Sequence, residues 1–339
     1  MPLEHVFRIS RGSTEIQPSL IVELEHNGIS GFGEAPDDNF YGQSQESMAT
    51  AARGVAEMLK NYEFGSPQEL WQLLQPQLDG NWFVLSAIDQ AVNDLYARLA
   101  KRPLHEVWGL EWDDVPNSSY TIGIDTVEKM VAKMQERPGW PCYKIKLGTP
   151  EDLAIVRELR KHTDALFRVD ANCGWSVAEA IANSEALADL GVEFIEQPLP
   201  PDTPSEGHRK VFADSALPII ADENCLVEAD VDRCHGLFEG INVKLCKCGG
   251  PTPALRMLRR ARELGMRTML GCMVESSVGI SAAAQLAPLL DYLDLDGAEL
   301  LAKDPATGVS VRNGVISLSA GHGTGAELDP DVLPFVIAE

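Results

Sequence analysis

From about residue 118 onward, short apolar runs rich in β-branched residues alternate with longer stretches whose apolar residues recur three and four positions apart. The short runs are SYTIGI, YKIKLG, FRVDAN, EFIEQP, PIIADE, INVKLCK, TMLGCM and LDLDGAEL. Between them lie TVEKMVAKMQER, EDLAIVRELRKH, SVAEAIANSEALADL, EADVDRCHGLFE and TPALRMLRRARELG. A three-and-four recurrence is the period of a helix with one apolar face, and the short runs have the length and residue type of strands. Strand followed by helix, repeated about eight times without a long gap, predicts a parallel (β/α) barrel of the TIM type. An open doubly wound sheet is the structural alternative. No G-x-G-x-x-G follows an early strand, which weighs against a dinucleotide fold.

Residues 1–112 follow a different pattern. SLIVELEHNGISGFGEA alternates as a β-hairpin turning at His26, Asn27 and Gly28, and two long helices follow around SQESMATAARGVAEMLK and NWFVLSAIDQAVNDLYARLAKR. This is a smaller α+β capping domain. The barrel is expected over residues 113–318, and residues 319–339 are expected to return to the cap. Gly321, Gly323 and Gly325 suggest a phosphate loop, but no helix with a Lys-Ser/Thr start follows. The segment, His322 included, reads as a turn-rich connection.

Composition narrows the classes. The chain has 339 residues, 45% hydrophobic and 23% charged, which is the balance of a globular protein. Fifty-one acids against 28 bases leave a net charge of −23, which disfavours nucleic acid and anionic membranes as partners. No apolar run reaches the roughly 18 residues of a membrane span, and the N-terminus lacks the plan of a signal peptide. The seven cysteines are odd in number and scattered, as expected in a reducing cytoplasm. Cys246 and Cys248 form a C-x-C without a second pair at zinc spacing and read as structural.

Candidate chemistry lies at the strand ends. Lys146, Asp170, Glu196, Asp222 and Lys244 follow one another at intervals of 24, 26, 26 and 22 residues, and Asp294 and Asp296 come 50 and 52 residues after Lys244. An interval near 25 is one βα unit, so each group falls at the C-terminal end of a strand, the rim where barrel active sites sit. Three converging carboxylates repel unless a cation joins them. Oxygen ligands select a hard ion such as Mg2+, with Mn2+ a possible substitute. Two lysines flank that group. Lys144, two positions before Lys146, points to the same strand face. Its charge and the metal's are expected to pull the Lys146 pKa toward neutrality, where a lysine works as a base. Such a site suits removal of a proton next to a substrate carboxylate, with the metal and Lys144 stabilising the ene-diolate. That arrangement is a known pattern of the enolase superfamily. Lysines on both sides allow removal on one face and return on the other, which inverts the carbon.

YKIKLG, RVDANCGW, FIEQPLP, IIADE and INVKLCKCGG, taken together, resemble the enolase superfamily, in its muconate-lactonising-enzyme subgroup. The likeness runs over nearly the whole chain. It implies Lys146 and Lys244 as the acid/base pair and Asp170, Glu196 and Asp222 as Mg2+ ligands. Lys247 is a rival for the second role, set aside because it lies past the strand. The D-x-D of LDLDGAEL resembles that of dipeptide epimerases, which implies that Asp294 and Asp296 hold the substrate's α-ammonium group; two acids on one strand face also want a cation. FRISRGSTE resembles those enzymes' cap loop, with Arg11 able to pair an acidic side chain as in Ala-Glu epimerases. Asn172 and Glu223, next to ligands, are expected to support them, and Tyr41 is a weaker candidate for the pocket wall. The family's cap has a further strand upstream of PLEHVFRISRG, so the first strand is expected to be missing or truncated.

The resulting expectation is an epimerase acting on a small dipeptide, with a homo-oligomer left open. The rivals on the same scaffold are o-succinylbenzoate synthase, a cycloisomerase and an N-acylamino acid racemase, none of which needs an ammonium site. Acid-sugar dehydratases place a histidine late in the barrel, and TMLGCMVE has none. A binding protein that lost its chemistry is disfavoured because every catalytic position is filled.

Overall fold

The computed structural model describes residues 1–10 and 12–331. The cap begins with strands β1 (Pro2–Ile9) and β2 (Gly12–Ile16), paired antiparallel, followed by β3 (Ser19–His26) and β4 (Ile29–Pro36). The β3–β4 turn falls at Asn27-Gly28, both at positive φ, as a two-residue hairpin requires. Three helices follow: α1 (Gln45–Lys60), α2 (Pro67–Leu74) and α3 (Trp82–Leu99). Ser44 and Ser66 open α1 and α2 with capping boxes, and Pro67 sits in the first turn of α2. Helix α3 is buried around most of its surface, polar residues included, because it lies between β4 and the barrel. Its approach to β4 depends on Gly31 and Gly33. A Cβ at Gly33 would stand 2.0 Å from Ala87 O, and one at Gly31 would stand 2.4 Å from Ala91 O.

After the short helix α4 (Leu104–Val107), eight parallel strands run in chain order: β5 (Tyr120–Ile122), β6 (Cys142–Lys146), β7 (Leu166–Asp170), β8 (Val192–Glu196), β9 (Ile219–Ala221), β10 (Gly240–Val243), β11 (Arg267–Gly271) and β12 (Tyr292–Asp294). Ser118 bridges Leu293, and Ser119 N donates to Leu293 O at 3.1 Å, which brings the two edges together into a barrel. The expected barrel and N-terminal α+β cap are both present. The helices between strands are α5 (Val127–Glu136), α6 (Asp152–Arg160), α7 (Val177–Asp189), α8 (Ser205–Asp214), α9 (Glu228–Cys234), the short α10 (Leu245–Cys248) with α11 (Pro251–Glu263), and α12 (Ser277–Ala284). None of the described helices is long and apolar enough to cross a membrane.

The strands alternate between two environments. Ile145, Val169, Ile195, Val243 and Leu270 face outward into one large core shared with the helices. Phe194, Ile220, Met269 and Tyr292 form a separate cluster inside the barrel, and Arg168 lies over the Phe194 and Tyr292 rings. The period of two then places Lys144 and Lys146, Asp170, Glu196 and Asp222, Asn242 and Lys244, and Asp294 above that plug, inside the barrel mouth. This explains two lysines on one strand face: the face points to the barrel axis, where carboxylates from the neighbouring strands meet them.

The cap is fastened to this end of the barrel by buried carboxylates. Glu34 on β4 accepts from Ser276 N at 3.0 Å and Gly279 N at 3.1 Å, at the start of α12. Asp89 on α3 accepts from Thr252 N at 2.7 Å, at the start of α11. Asp94, also on α3, accepts from Phe32 N at 3.0 Å and from Thr324 N at 2.6 Å. Helix N-termini leave amides unsatisfied and favour negative charge, so Glu34 and Asp89 fit there. The Thr324 contact is part of a C-terminal stretch lying along α3, where Arg98 pairs Asp94 and Glu327.

Candidate active site

The barrel mouth and the cap enclose a cavity of about 580 Å³. Lys146, Asn172, Asp222, Lys244, Asp294 and Asp296 line its floor, and β1, β2 and residues 37–41 of the cap form its roof. Ring order sets the geometry. In a barrel ordered β5 to β12, β6 and β10 are diametrically opposed, and so are β8 and β12. Lys146 therefore faces Lys244 across the mouth. The triad Asp170, Glu196 and Asp222 fills the arc between them, and Asp294 and Asp296 lie opposite the triad.

One oxygen from each of Asp170, Glu196 and Asp222 lies within 4.8 Å of the other two, and all three side chains are buried. The hard oxygen donors and their convergence fit a divalent cation. Glu196 Oε2 gives a second reason. It is buried and makes no hydrogen bond, although Lys144 Nζ stands 2.8 Å away as an ion contact. Burial and the charges of Asp170 and Asp222 push the Glu196 pKa up to about 7, against the opposing pull of Lys144 and Lys244. Asp170 goes the other way. Burial would raise it, but Lys146 and Lys144 hold it at about 2. Asp222 is held well below the usual carboxylate range, because Lys244, Lys247 and Lys144 outweigh its burial.

Lys146 Nζ donates to Asp170 Oδ2 at 2.6 Å, and Lys244 Nζ to Asp222 Oδ2 at 3.0 Å. Lys247 does not line the cavity. It is buried behind Asp222, bonding its carboxylate and, at 2.8 Å, its backbone oxygen. At Lys244 opposing effects compete. Burial lowers its pKa, and Lys144 adds to that, but Asp222, Glu196 and Glu223 overcome both and leave it above the ordinary lysine value. Lys144 behaves alike: burial is outweighed by Asp294, Glu196 and Asp170, and its pKa stands well above normal. The chain's own side chains thus keep Lys144 and Lys244 protonated; a lowered value needs positive charge added at the triad.

Lys144 also changes the reading of the D-x-D pair. Its ammonium sits on the barrel axis, 2.8 Å from Asp294 Oδ2 and 3.3 Å from Asp170 Oδ2, joining the triad to the opposite acids. Asp294 is therefore already partnered, by Lys144 and by Ser119 Oγ at 2.7 Å. Asp296 accepts from Thr121 N at 2.5 Å. Burial and the Asp294 charge raise its pKa to about 7. Both acids line the cavity, but only Asp296 lacks a cationic partner among the described residues.

Asn172, at φ 44°, turns the chain so that its amide donates to Asp170 Oδ1 at 2.9 Å. Glu223 is buried beside Asp222 and adds its charge against Lys244. Tyr41 lines the cavity from the cap, and burial, with the charges of Asp222 and Glu223, raises its hydroxyl pKa. Arg11 lies outside the described residues. Two supports were not singled out from the sequence. Asn242 Nδ2 donates to Glu196 Oε1 at 2.9 Å. Gln197 Oε1 accepts from Asp222 N at 3.0 Å and Asn224 N at 3.1 Å, fixing the Asp222 backbone. The period-two argument applied to Lys144 and Lys146 finds Asn242 as well, two positions before Lys244. Gln197 has no such signal, because its role depends on a chain segment 25 residues away.

A cap over a barrel whose mouth holds three carboxylates between opposed lysines defines the class, and comparison with known proteins agrees. The chain belongs to the mandelate racemase / muconate lactonizing enzyme family. Residues 1–109 match its N-terminal domain, and residues 126–332 match the enolase C-terminal domain-like model. The chain is 53% identical to an L-Ala-D/L-amino acid epimerase of Flavobacterium johnsoniae, over 97% of each sequence. It is 37% identical to an L-Ala-D/L-Glu epimerase of Bacteroides thetaiotaomicron, over 96% of this chain and 85% of that one. Among solved structures, a dipeptide epimerase from Cytophaga hutchinsonii, complexed with Mg and D-Ala-L-Val, is 28% identical. It aligns over 98% of this chain and 94% of that one with a TM-score of 0.93.

Proposed function

We propose that this chain is a dipeptide epimerase that inverts the α-carbon of the C-terminal residue of a dipeptide. The observation that carries the reading is the crossed geometry of the mouth. Lys146 and Lys244 face each other on one diameter, and the carboxylate triad faces Asp294 and Asp296 on the other. A substrate with a carboxylate at one end and an ammonium at the other lies along the second diameter, with its α-carbon between the lysines. Bound Mg2+, or Mn2+ in its place, would neutralise the triad, attract the substrate carboxylate and add positive charge that favours both the ene-diolate and neutral lysines.

The chain's residues then act as follows. One of Lys146 and Lys244, in its neutral form, removes the α-proton at Nζ, and the other, protonated, returns one to the opposite face. Lys144, protonated on the axis, faces the developing charge and does not exchange protons with substrate. Asp296, with Asp294, takes the α-ammonium group. N-acylated substrates carry no such cation, so the acid pair disfavours an N-acylamino acid racemase. The relatives, which include an L-Ala-D/L-amino acid epimerase and a hydrophobic dipeptide epimerase at 40% identity, support the same class.

The test is incubation of L,L-dipeptides in D2O with Mg2+, read by mass spectrometry. Deuterium gained at the C-terminal α-carbon supports the proposal. Folded, Mg2+-binding protein that labels no dipeptide would sink it, and N-acylamino acids would be tried next.

A further inference from the structure

We infer that Asp152 is a positioning residue for Lys146: it ties the loop after β6 to the loop after β7 and so keeps the Lys146 ammonium at its working place beside Asp170. This rests on the epimerase reading. Asp152 opens α6, and its carboxylate is buried. Four donors converge on that carboxylate. Gly148 N donates to Oδ2 at 3.0 Å, and Thr149 N and Thr149 Oγ1 donate to Oδ1 at 2.8 Å each. An acid at a helix start collects local donors of this kind without any catalytic role. The fourth donor is different. Trp175 Nε1 comes from the loop after β7, 23 positions away, and reaches Oδ2 at 2.7 Å.

The two loops also touch through their backbones. Gly148 is at φ 103°, and a Cβ on Gly174 would stand 2.7 Å from Gly148 Cα. Leu147 N donates to Asp170 O at 2.8 Å. The segments that carry Lys146 and Asp170 therefore leave the barrel side by side, with the Asp152 carboxylate bonded to both. Because it is buried, its loss leaves amides without an acceptor, and the loops must shift to satisfy them. Lys244 stands across the mouth and runs directly into α10, and none of these bonds reaches it. A proton transfer is sensitive to small displacements of the base. Lys146 and Lys244 serve opposite faces of the α-carbon, so a fault at Asp152 falls on one face only.

The experiment separates the faces. The probe is the L,L-dipeptide that the unaltered enzyme labels fastest in D2O, together with its L,D epimer, at saturating Mg2+. Lys244→Ala leaves Lys146 to exchange the α-proton of one epimer, and Lys146→Ala leaves Lys244 to exchange that of the other. Adding Asp152→Asn should slow exchange about 10-fold in the Lys244→Ala protein and leave it within about twofold in the Lys146→Ala protein. Trp175→Phe removes only the distant donor and should act in the same direction by about threefold. It carries the comparison should Asp152→Asn fail to fold. Equal losses in both proteins, or no loss in the first, overturn the inference and leave the epimerase reading standing. No exchange of either epimer by the single-lysine proteins overturns the assignment of one lysine to each face, and the inference with it. No exchange by the unaltered enzyme with any dipeptide overturns the epimerase reading itself.

Discussion

Two groups of buried carboxylates meet at the same end of this barrel, and they are satisfied in opposite ways. In the mouth, Asp170 and Asp222 are paired with lysines, which hold both below the usual carboxylate range. At the cap seam, Glu34 and Asp89 are met mainly by backbone amides and hydroxyls, Asp94 by amides and the Arg98 guanidinium, and burial raises all three above their ordinary values. The first group concentrates charge, and burial with the neighbouring carboxylates pushes Glu196 and Asp296 up to about 7. The second neutralises ordinary loose ends of helices and turns. Charge that cannot be fully satisfied by the protein belongs to a site that awaits a ligand; charge matched by amides belongs to the architecture.

The largest test of the contrast is to remove the mouth's lysines. Lys146→Ala and Lys244→Ala should each lower the epimerisation rate about 1,000-fold, on the order of 4 kcal/mol of transition-state stabilisation. Each should still fold, as judged by circular dichroism. Near-normal turnover in either variant would break the assignment of the mouth as the reacting centre.

At the seam, the effect should fall on stability. Glu34→Ala leaves the Ser276 and Gly279 amides buried without their acceptor. A loss of about 3 kcal/mol in urea unfolding is expected. A loss below about 0.5 kcal/mol would show that the seam acid is incidental.

A smaller effect should separate holding a ligand from being one. Asn242→Ala removes the donor to Glu196 Oε1. Mn2+ affinity, followed by electron paramagnetic resonance, should weaken about 10-fold, the usual scale for a group that orients a metal ligand. Unchanged affinity with unchanged kcat would remove Asn242 from the site.

The smallest is a pH signature. Burial raises Asp89 from 3.8 to about 7, despite the donors from Thr252 and Asn93. Between those values the folded protein keeps a proton that the unfolded chain has lost. This contribution is therefore fully present below pH 4 and fades as pH rises to about 7. Asp89→Asn should make stability less steep against pH across that window. An identical slope in wild type and variant would assign the titration elsewhere.

The same contrast explains what could be read in advance. The mouth residues recur at the length of a βα unit, so local repetition exposed Lys146, Asp170, Glu196, Asp222 and Lys244 with the strands that carry them. The seam acids have no such rhythm. Glu34 meets Ser276, 242 positions away, and Asp94 meets Thr324, 230 away. Each looks like a helix or strand acid until the cap is folded onto the barrel. Asp294 shows the intermediate case. Its motif was legible, but its bond to Lys144, 150 positions earlier, was not.

Taken alone, the order of residues determined the barrel, the cap and the ring of charged strand ends, because period-two and helical alternation and a repeat near 25 residues are properties of the chain itself. Tertiary structure decided which lysines face the cavity, that Lys144 stands on the axis between two sets of acids, that the pKa of Lys244 rises above its ordinary value, and that Glu34 meets the start of α12. Those facts depend on distances between segments far apart in the chain, and burial and Coulomb interactions act through such distances, whatever the spacing in sequence.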